Sequence, residues 1–214
     1  MHSIQSKITI LTTAAIFVSI LVATLIGAIS VSNIGTHNSE QMLRLLCEAG
    51  QKSLDYYFES IEDSVDMVSS YISSDLSVTS LDNFDEHMER ARSFFNRTVS
   101  KTNGVLTYYY RIHPDISDTE PGFWYVDLDG EGFKEHEVTN ISDYDLTNNE
   151  ELVWFTNPMN TGKPLWLPPY VTDNLDVYVL SYNVPVYKDK TFIGVVGIEL
   201  DYTTMKHQVD IITL

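Results

Sequence analysis

An uncharged run of 24 residues near the start of the chain, Ile8 to Val31, limits the possible folds more than any other feature. About 20 apolar residues in a helix cross the ~30 Å hydrocarbon core of a bilayer, so the run predicts a transmembrane helix over residues 8–31. It is longer than the ~7–15 apolar residues of a cleaved signal peptide. Lys7 precedes the run and Glu40 is the first charge after it. These flanks predict a cytoplasmic tail at residues 1–7, a plasma-membrane anchor and an extracytoplasmic location for the rest.

The charge balance and the single cysteine exclude several classes of protein. The chain has 30 Asp and Glu against 13 Lys and Arg, a formal net charge of −17. Such a chain lacks the basic surface that nucleic acids or anionic lipid headgroups require. One cysteine excludes an internal disulfide framework and a Cys-rich zinc site. No phosphate-binding loop, HExxH or dinucleotide-binding motif is present, so we expect no cofactor, no metal and no enzymatic activity. Hydrolysis by a pair of carboxylates remains an open alternative.

Two helices are predicted after the anchor. Residues 32–78 predict a long stalk helix, because the stretch from Thr36 to Leu76 has no proline and apolar or small residues recur every three or four positions. They are Leu43, Cys47, Gly50, Leu54, Phe58, Ile61, Val65, Val68 and Ile72. This stripe is either the seam of a homodimer or the surface that packs on the protein's own domain, and Cys47 is expected to be packed. A second helix is predicted from Ser80 to a stop at Asn103-Gly104.

The remainder predicts an antiparallel sheet. Runs rich in β-branched and aromatic residues predict strands at 105–112, 123–128, 177–187 and 191–200, and the last two are expected to form a hairpin. Residues 141–176 between them look irregular, and so long an irregular segment is usually functional or a binding lid. No alternation of strand and helix is seen, which indicates an α+β fold.

Several short motifs follow one another along this part of the chain. They are Trp154-Phe155, then Gly162-Lys163-Pro164-Leu165-Trp166, Pro169-Tyr170, the Ser181–Val186 strand and the Gly194-Val195-Val196-Gly197-Ile198-Glu199 strand. In this order they resemble the Cache family of extracytoplasmic sensor domains. The resemblance implies a PAS-like fold, an antiparallel sheet with flanking helices and a ligand pocket between sheet and crossover. It also implies that residues 79–214 form the membrane-distal module of a tandem sensor, expected to continue into a second module.

The resemblance also implies a function and a set of binding residues. The function is small-molecule sensing as the input module of a membrane-anchored receptor. Ligand contacts are expected from Trp154, Tyr170 and Glu199, with Phe155 standing where the family has Tyr and Glu199 where Asp is usual. Leu152 stands where amino-acid-binding members have the Arg that clamps a carboxylate.

The missing Arg leaves an acidic and aromatic half-site. We therefore expect a small amine, held by Glu199 and by cation–π contact with the aromatic residues, with Asp173 and Tyr144 as further candidates. Arg111 could supply the cation from another strand, which keeps an amino acid as the alternative ligand. Two other interpretations stay open, namely a membrane-anchored dimerisation module whose pocket is vestigial and an extracytoplasmic enzyme.

Overall fold

The computed structural model describes residues 4–78, 84–117, 121–146, 150–172 and 174–206. Its longer elements are helices α1 (Ile4–Val78), α2 (Phe84–Val99) and α3 (Val153–Thr161), with strands β1 (Val105–Ile112), β2 (Gly122–Val126), β3 (Lys134–His136), β4 (Leu165–Trp166), β5 (Tyr170–Thr172), β6 (Val177–Lys188) and β7 (Thr191–Asp201). The chain divides into two units, the first ending at Gln51 and the second beginning at Lys52. The α+β class predicted from the sequence is confirmed.

The first unit is the N-terminal part of α1. Its described large apolar side chains are solvent-exposed, from Ile16 to Ile29 and again from Met42 to Leu46. Cys47 is also exposed, so the prediction that its side chain is packed is wrong within this unit. Within the described ranges, no helix meets the length and hydrophobicity that a membrane crossing requires. The transmembrane helix at residues 8–31 therefore stays a prediction.

In the second unit, the end of α1 and all of α2 cover one face of the sheet. The stripe that was predicted on α1 is fully buried from Ile61 through Val65 and Val68 to Ile72. It packs with the apolar face of α2, which includes Ala91 and Phe95. These helix residues share one core with Tyr108, Tyr110, Tyr182, Val184, Val186, Val196, Ile198 and Leu200 of the sheet. Packing on the protein's own domain is thus confirmed for this end of the stripe.

The sheet has the order β3-β2-β1-β7-β6-β4, with β5 also paired to β6, and all pairs are antiparallel. The predicted β6–β7 hairpin is confirmed, and its turn has positive φ at Asp189 and Lys190. The segment 141–176 is more regular than predicted, since it contains α3 and the short edge strands β4 and β5. Gly162 ends α3 in the left-handed conformation, at φ 64°.

Alternation along β1 and β7 gives the sheet two different faces. Tyr108 and Tyr110 point to the helix core, whereas Thr107, Tyr109 and Arg111 belong to the opposite face. The register places Thr107 opposite Glu199, Tyr109 opposite Gly197 and Arg111 opposite Val195. This second face is unusually polar for a buried surface, and α3 and the segment around β5 lie over it.

Candidate functional site

A cavity of about 320 Å³ lies on the polar face of the sheet. Its lining residues come from β1, β2, β5, β7, α3 and the turns before α3. They are Tyr109, Arg111, Trp124, Thr139, Tyr144, Glu151, Leu152, Val153, Trp154, Tyr170, Val171, Thr172, Asn174 and Glu199. A volume of this size suits a small molecule, and aromatic walls with a few convergent polar groups are typical of a ligand site.

Glu199 is the buried acid of the cavity, with only 6% of its surface exposed. Its Oε1 accepts a hydrogen bond from the Tyr170 hydroxyl at 2.6 Å, and its Oε2 accepts one from Thr107 Oγ1 at 2.8 Å. Burial raises the pKa of Glu199, although the two hydroxyl hydrogen bonds oppose the shift. Both donors are neutral, so they leave the negative charge uncompensated and open to a cation.

Arg111 is the buried base of the cavity, with 3% of its surface exposed. Its Nε donates to the carbonyl of Pro121 at 3.1 Å, and Nη2 donates to the carbonyl of Thr139. The guanidinium carbon lies 5.6 Å from the centre of the Trp154 ring. Burial lowers the pKa of Arg111 to about 10, so the group remains cationic at neutral pH. Carbonyls and an aromatic ring carry no net charge, and an anion could therefore still bind here.

Tyr109 forms the floor between these two groups. Its hydroxyl donates to Asn183 Oδ1 at 2.5 Å, and its ring meets Trp154 edge-on at 5.3 Å between centroids. A Cβ at Gly197 would approach the Tyr109 ring to 2.6 Å, so the ring lies directly over that glycine. Asn183 in turn donates to Ser181 Oγ at 2.9 Å. Because these partners fix it, the ring is a rigid platform inside the cavity.

The structure brings five of the seven predicted site residues to this cavity, namely Arg111, Tyr144, Trp154, Tyr170 and Glu199. Phe155 does not line it, since its side chain is fully buried in a second apolar cluster with Ile141, Leu152 and Val195. Asp173 lies outside the described residues. Within the described part of the chain, no three His, Cys, Asp or Glu side chains gather as a metal site.

Sequence reasoning missed several lining residues, including Tyr109, Trp124 and Thr139. One signal could have found Tyr109, because it alternates with Arg111 on the strand that the sequence predicted correctly. Thr139 contributes a backbone carbonyl from an irregular segment, and no sequence pattern marks such a contact.

An antiparallel sheet with two helices on one face and a cavity on the other fits a PAS-like domain. The model of the family of first PDC sensor domains, of the type found in methyl-accepting chemotaxis proteins, matches residues 91–207. The chain belongs to this family and carries a sensory input domain, as the resemblance to extracytoplasmic sensor domains had predicted.

Solved structures share the fold at low sequence identity. The extracellular domain of soHK1S-Z6, described as a histidine kinase, matches 78% of this chain and 64% of its own at 18% identity, with a TM-score of 0.59. The ligand-binding domain of the Campylobacter jejuni chemoreceptor Tlp3 in complex with 4-methylisoleucine matches 76% of this chain and 58% of its own, at 16% identity and a TM-score of 0.56. The isoleucine-bound sensory domain of that chemoreceptor matches 77% of this chain and 60% of its own, at 15% identity and a TM-score of 0.54.

The chain thus spans about three fifths of the length of the structures that it matches. No curated protein matches it.

Proposed function

We propose that this chain is the extracytoplasmic input module of a membrane-anchored receptor, and that its cavity binds a small zwitterion through Arg111 and Glu199. The observation that carries the proposal is the presence of two buried, oppositely charged side chains in one cavity, where neither contacts the other. An isolated buried charge is costly, and residues that bear this cost are characteristic of sites that an external charge completes.

Each of the two charged side chains would bind one group of the ligand. The guanidinium of Arg111 has N–H groups beyond those given to Pro121 and Thr139, and these can donate to a carboxylate. Glu199 can accept hydrogen bonds from an ammonium while it keeps those from Tyr170 and Thr107. The proposed binding residues are therefore Arg111, Tyr144, Trp154, Tyr170 and Glu199, and the predicted contributions of Phe155 and Asp173 stay predictions.

A plain amine is the second candidate ligand. It is favoured by Leu152, which is buried at the position where amino-acid-binding relatives are expected to carry Arg. The cation at position 111 offsets that loss, and we therefore place a ligand with a carboxylate first. Sensory domains of this fold from the Campylobacter jejuni chemoreceptor Tlp3 hold isoleucine and 4-methylisoleucine, which supports an amino-acid-like ligand.

The proposal also includes the membrane context and the absence of catalysis. Residues 1–7 would be cytoplasmic, 8–31 would anchor the chain, 32–78 would form the stalk, and 79–214 would be the sensor module of a longer receptor. The exposed Leu43 and Leu46 on α1 support a homodimer through the stalk, because apolar side chains at such spacing pair in coiled coils. A sensor domain binds and releases its ligand, and we propose that this one is not an enzyme.

The test is calorimetric titration of the full chain in detergent micelles with α- and ω-amino acids, and with the amines and carboxylic acids that lack one charge. We expect binding only when both charges are present. Glu199→Gln and Arg111→Gln should each weaken it at least tenfold, and Glu137→Gln, at an exposed residue outside the cavity lining, is the matched control. Equal binding by the single-charge compounds, or unchanged affinity in both site variants, would contradict the proposal.

A further inference from the structure

The two charged groups of the cavity lie far apart along the sheet. Thr107 is opposite Glu199, and Arg111, four positions further along β1, is opposite Val195. Four residues of an antiparallel strand extend about 13 Å, at ~3.4 Å per residue. Whether a ligand must bridge this whole distance depends on whether the two side chains lean towards each other.

Glu199 is held at its own end of this span. Its Oε2 accepts from Thr107 Oγ1 at 2.8 Å, and Thr107 is the residue directly across the strand pair. A threonine hydroxyl stays close to its own backbone, so this hydrogen bond keeps the carboxylate near the level of Thr107 and Glu199. The second hydrogen bond, from Tyr170 on β5, ties the other carboxylate oxygen in place.

Arg111 is held at the opposite end. Its Nε donates at 3.1 Å to the carbonyl of Pro121, and the same carbonyl accepts the backbone N–H of Ile112. The guanidinium is thus held at about the level of Arg111 and Ile112, and none of its contacts ties it to the level of Glu199. The Tyr109 ring, fixed by Asn183 and Trp154, occupies the level between the two charges.

From this geometry we infer that the ligand is a zwitterion whose two charges are several carbons apart, an ω-amino carboxylate of about four or five carbons. With the ~13 Å between the two backbone levels taken as the separation of the charged groups, two charge-assisted hydrogen bonds of ~2.8 Å take up about 6 Å and leave about 7 Å for the ligand. The ammonium nitrogen and carboxylate oxygens of an α-amino acid are only about 3 Å apart, whereas a chain of four or five carbons spans about 6–7 Å. Its methylene groups would lie on the Tyr109 ring. The inference rests on the proposed function and specifies its ligand.

The test uses a series in which only the distance between the charges changes. The full chain in detergent micelles is titrated calorimetrically with glycine, β-alanine, 4-aminobutanoate, 5-aminopentanoate and 6-aminohexanoate. We expect the affinity to rise at least tenfold from glycine to the four- or five-carbon member. Pentylamine and pentanoate, which each lack one charge of 5-aminopentanoate, are the matched controls and should bind at least tenfold more weakly than it does.

The outcomes separate this inference from the proposed function. Affinity that is highest for glycine or an α-amino acid such as valine, or equal along the series, would overturn the separated-charge ligand and leave the zwitterion site intact. Binding of pentylamine or pentanoate as tight as that of 5-aminopentanoate would overturn the proposed zwitterion site itself. A series in which no member binds, and in which no α-amino acid binds, would overturn both.

Discussion

The close contact between Gly197 and Tyr109 gives a sharp prediction for one added methyl group. In Gly197→Ala, the new Cβ would lie 2.6 Å from both the Tyr109 ring and Asn183 Oδ1, where ordinary contacts begin at 3.4 Å. The φ angle of Gly197 is not in the positive range, so the backbone accepts alanine and the effect is steric. The ring must therefore move by about 0.8 Å into the cavity, and the 2.5 Å hydrogen bond to Asn183 must stretch or break.

The expected magnitude follows from this displacement. Overpacking of a well-packed interior costs about 1–3 kcal/mol, which in a protein of this size lowers the melting temperature by roughly 2–12 °C. Ligand affinity should fall about tenfold or more, equivalent to about 1.4 kcal/mol, because the ring moves into the volume that the ligand needs. Thermal unfolding and calorimetric titration of the full chain measure the two effects separately.

Two further variants show whether the mechanism is correct. Gly27→Ala adds a Cβ that meets nothing within 4 Å beyond its own helix backbone and chain neighbours, so it should leave the affinity unchanged and should not lower the melting temperature, because alanine favours a helix. In a Tyr109→Ala background the ring is gone and Asn183 Oδ1 is released from its hydrogen bond to Tyr109, so it can move away and adding Gly197→Ala should cost much less stability than it does alone. Unchanged stability and affinity in Gly197→Ala, or equal losses with and without Tyr109, would refute the reasoning.

Four other variants test the charges and the helices. Burial raises the pKa of Glu199, so ionising it opposes folding and stability falls as the pH rises from about 4.5 through the folded pKa. Glu199→Gln should therefore melt no lower than the unmodified chain at pH 7, while it loses ligand-induced stabilisation. A clear drop in its melting temperature would contradict this. Burial lowers the pKa of His87, although the 2.6 Å hydrogen bond from its Nδ1 to Asp75 opposes the shift. The unfolded chain therefore binds a proton that the native state excludes, and stability should fall as the pH drops from about 6.5 towards the folded pKa. His87→Gln should flatten the pH dependence of the unfolding free energy in this range, measured by denaturant unfolding at a series of pH values. An unchanged slope would exclude His87 as the source of the pH dependence. Ile61→Ala removes a fully buried side chain and should cost about 2–5 kcal/mol in denaturant unfolding. Leu43→Ala, at a site 63% exposed, should change stability by less than ~0.5 kcal/mol but weaken the proposed dimer in sedimentation, and a large stability loss there would show that Leu43 is packed.

Sequence patterns predicted the regular parts of the second unit because those parts are determined by local alternation. Strand β1 was predicted with its exact bounds, and α2 lies within the helix predicted from Ser80 to Asn103-Gly104. Helix α3 was missed, since it has nine residues, contains Pro158 and has no side-chain cap at Leu152. Neither periodicity nor a capping signal is available from so short a helix.

Motifs marked Trp154, Tyr170 and Glu199, whereas Arg111 and Tyr144 were suggested without a motif. Trp154 and Phe155 are adjacent on α3, and neighbouring helical residues project about 100° apart, so one reaches the cavity and the other the apolar cluster. Arg111 was suggested from its charge alone. Its position in the cavity depends on the carbonyls of Pro121 and Thr139, which are 10 and 28 residues away in sequence. Contacts of that kind arise from the tertiary fold and leave no pattern in the chain.

The unequal composition of the two sheet faces explains how one domain can be both stable and responsive. The helix face buries aromatic and aliphatic side chains from α1, α2 and the strands, which supplies most of the hydrophobic stabilisation. The cavity face buries Arg111 and Glu199 without pairing them, which opposes folding, and the proposed zwitterion would offset both charges. A ligand present at about 100 times its dissociation constant would raise the free energy of unfolding by about 2.7 kcal/mol. The proposed binding residues Arg111 and Glu199 lie on β1 and β7, the two central strands whose opposite faces contact the helices, so a ligand held by both would link the two faces of the sheet.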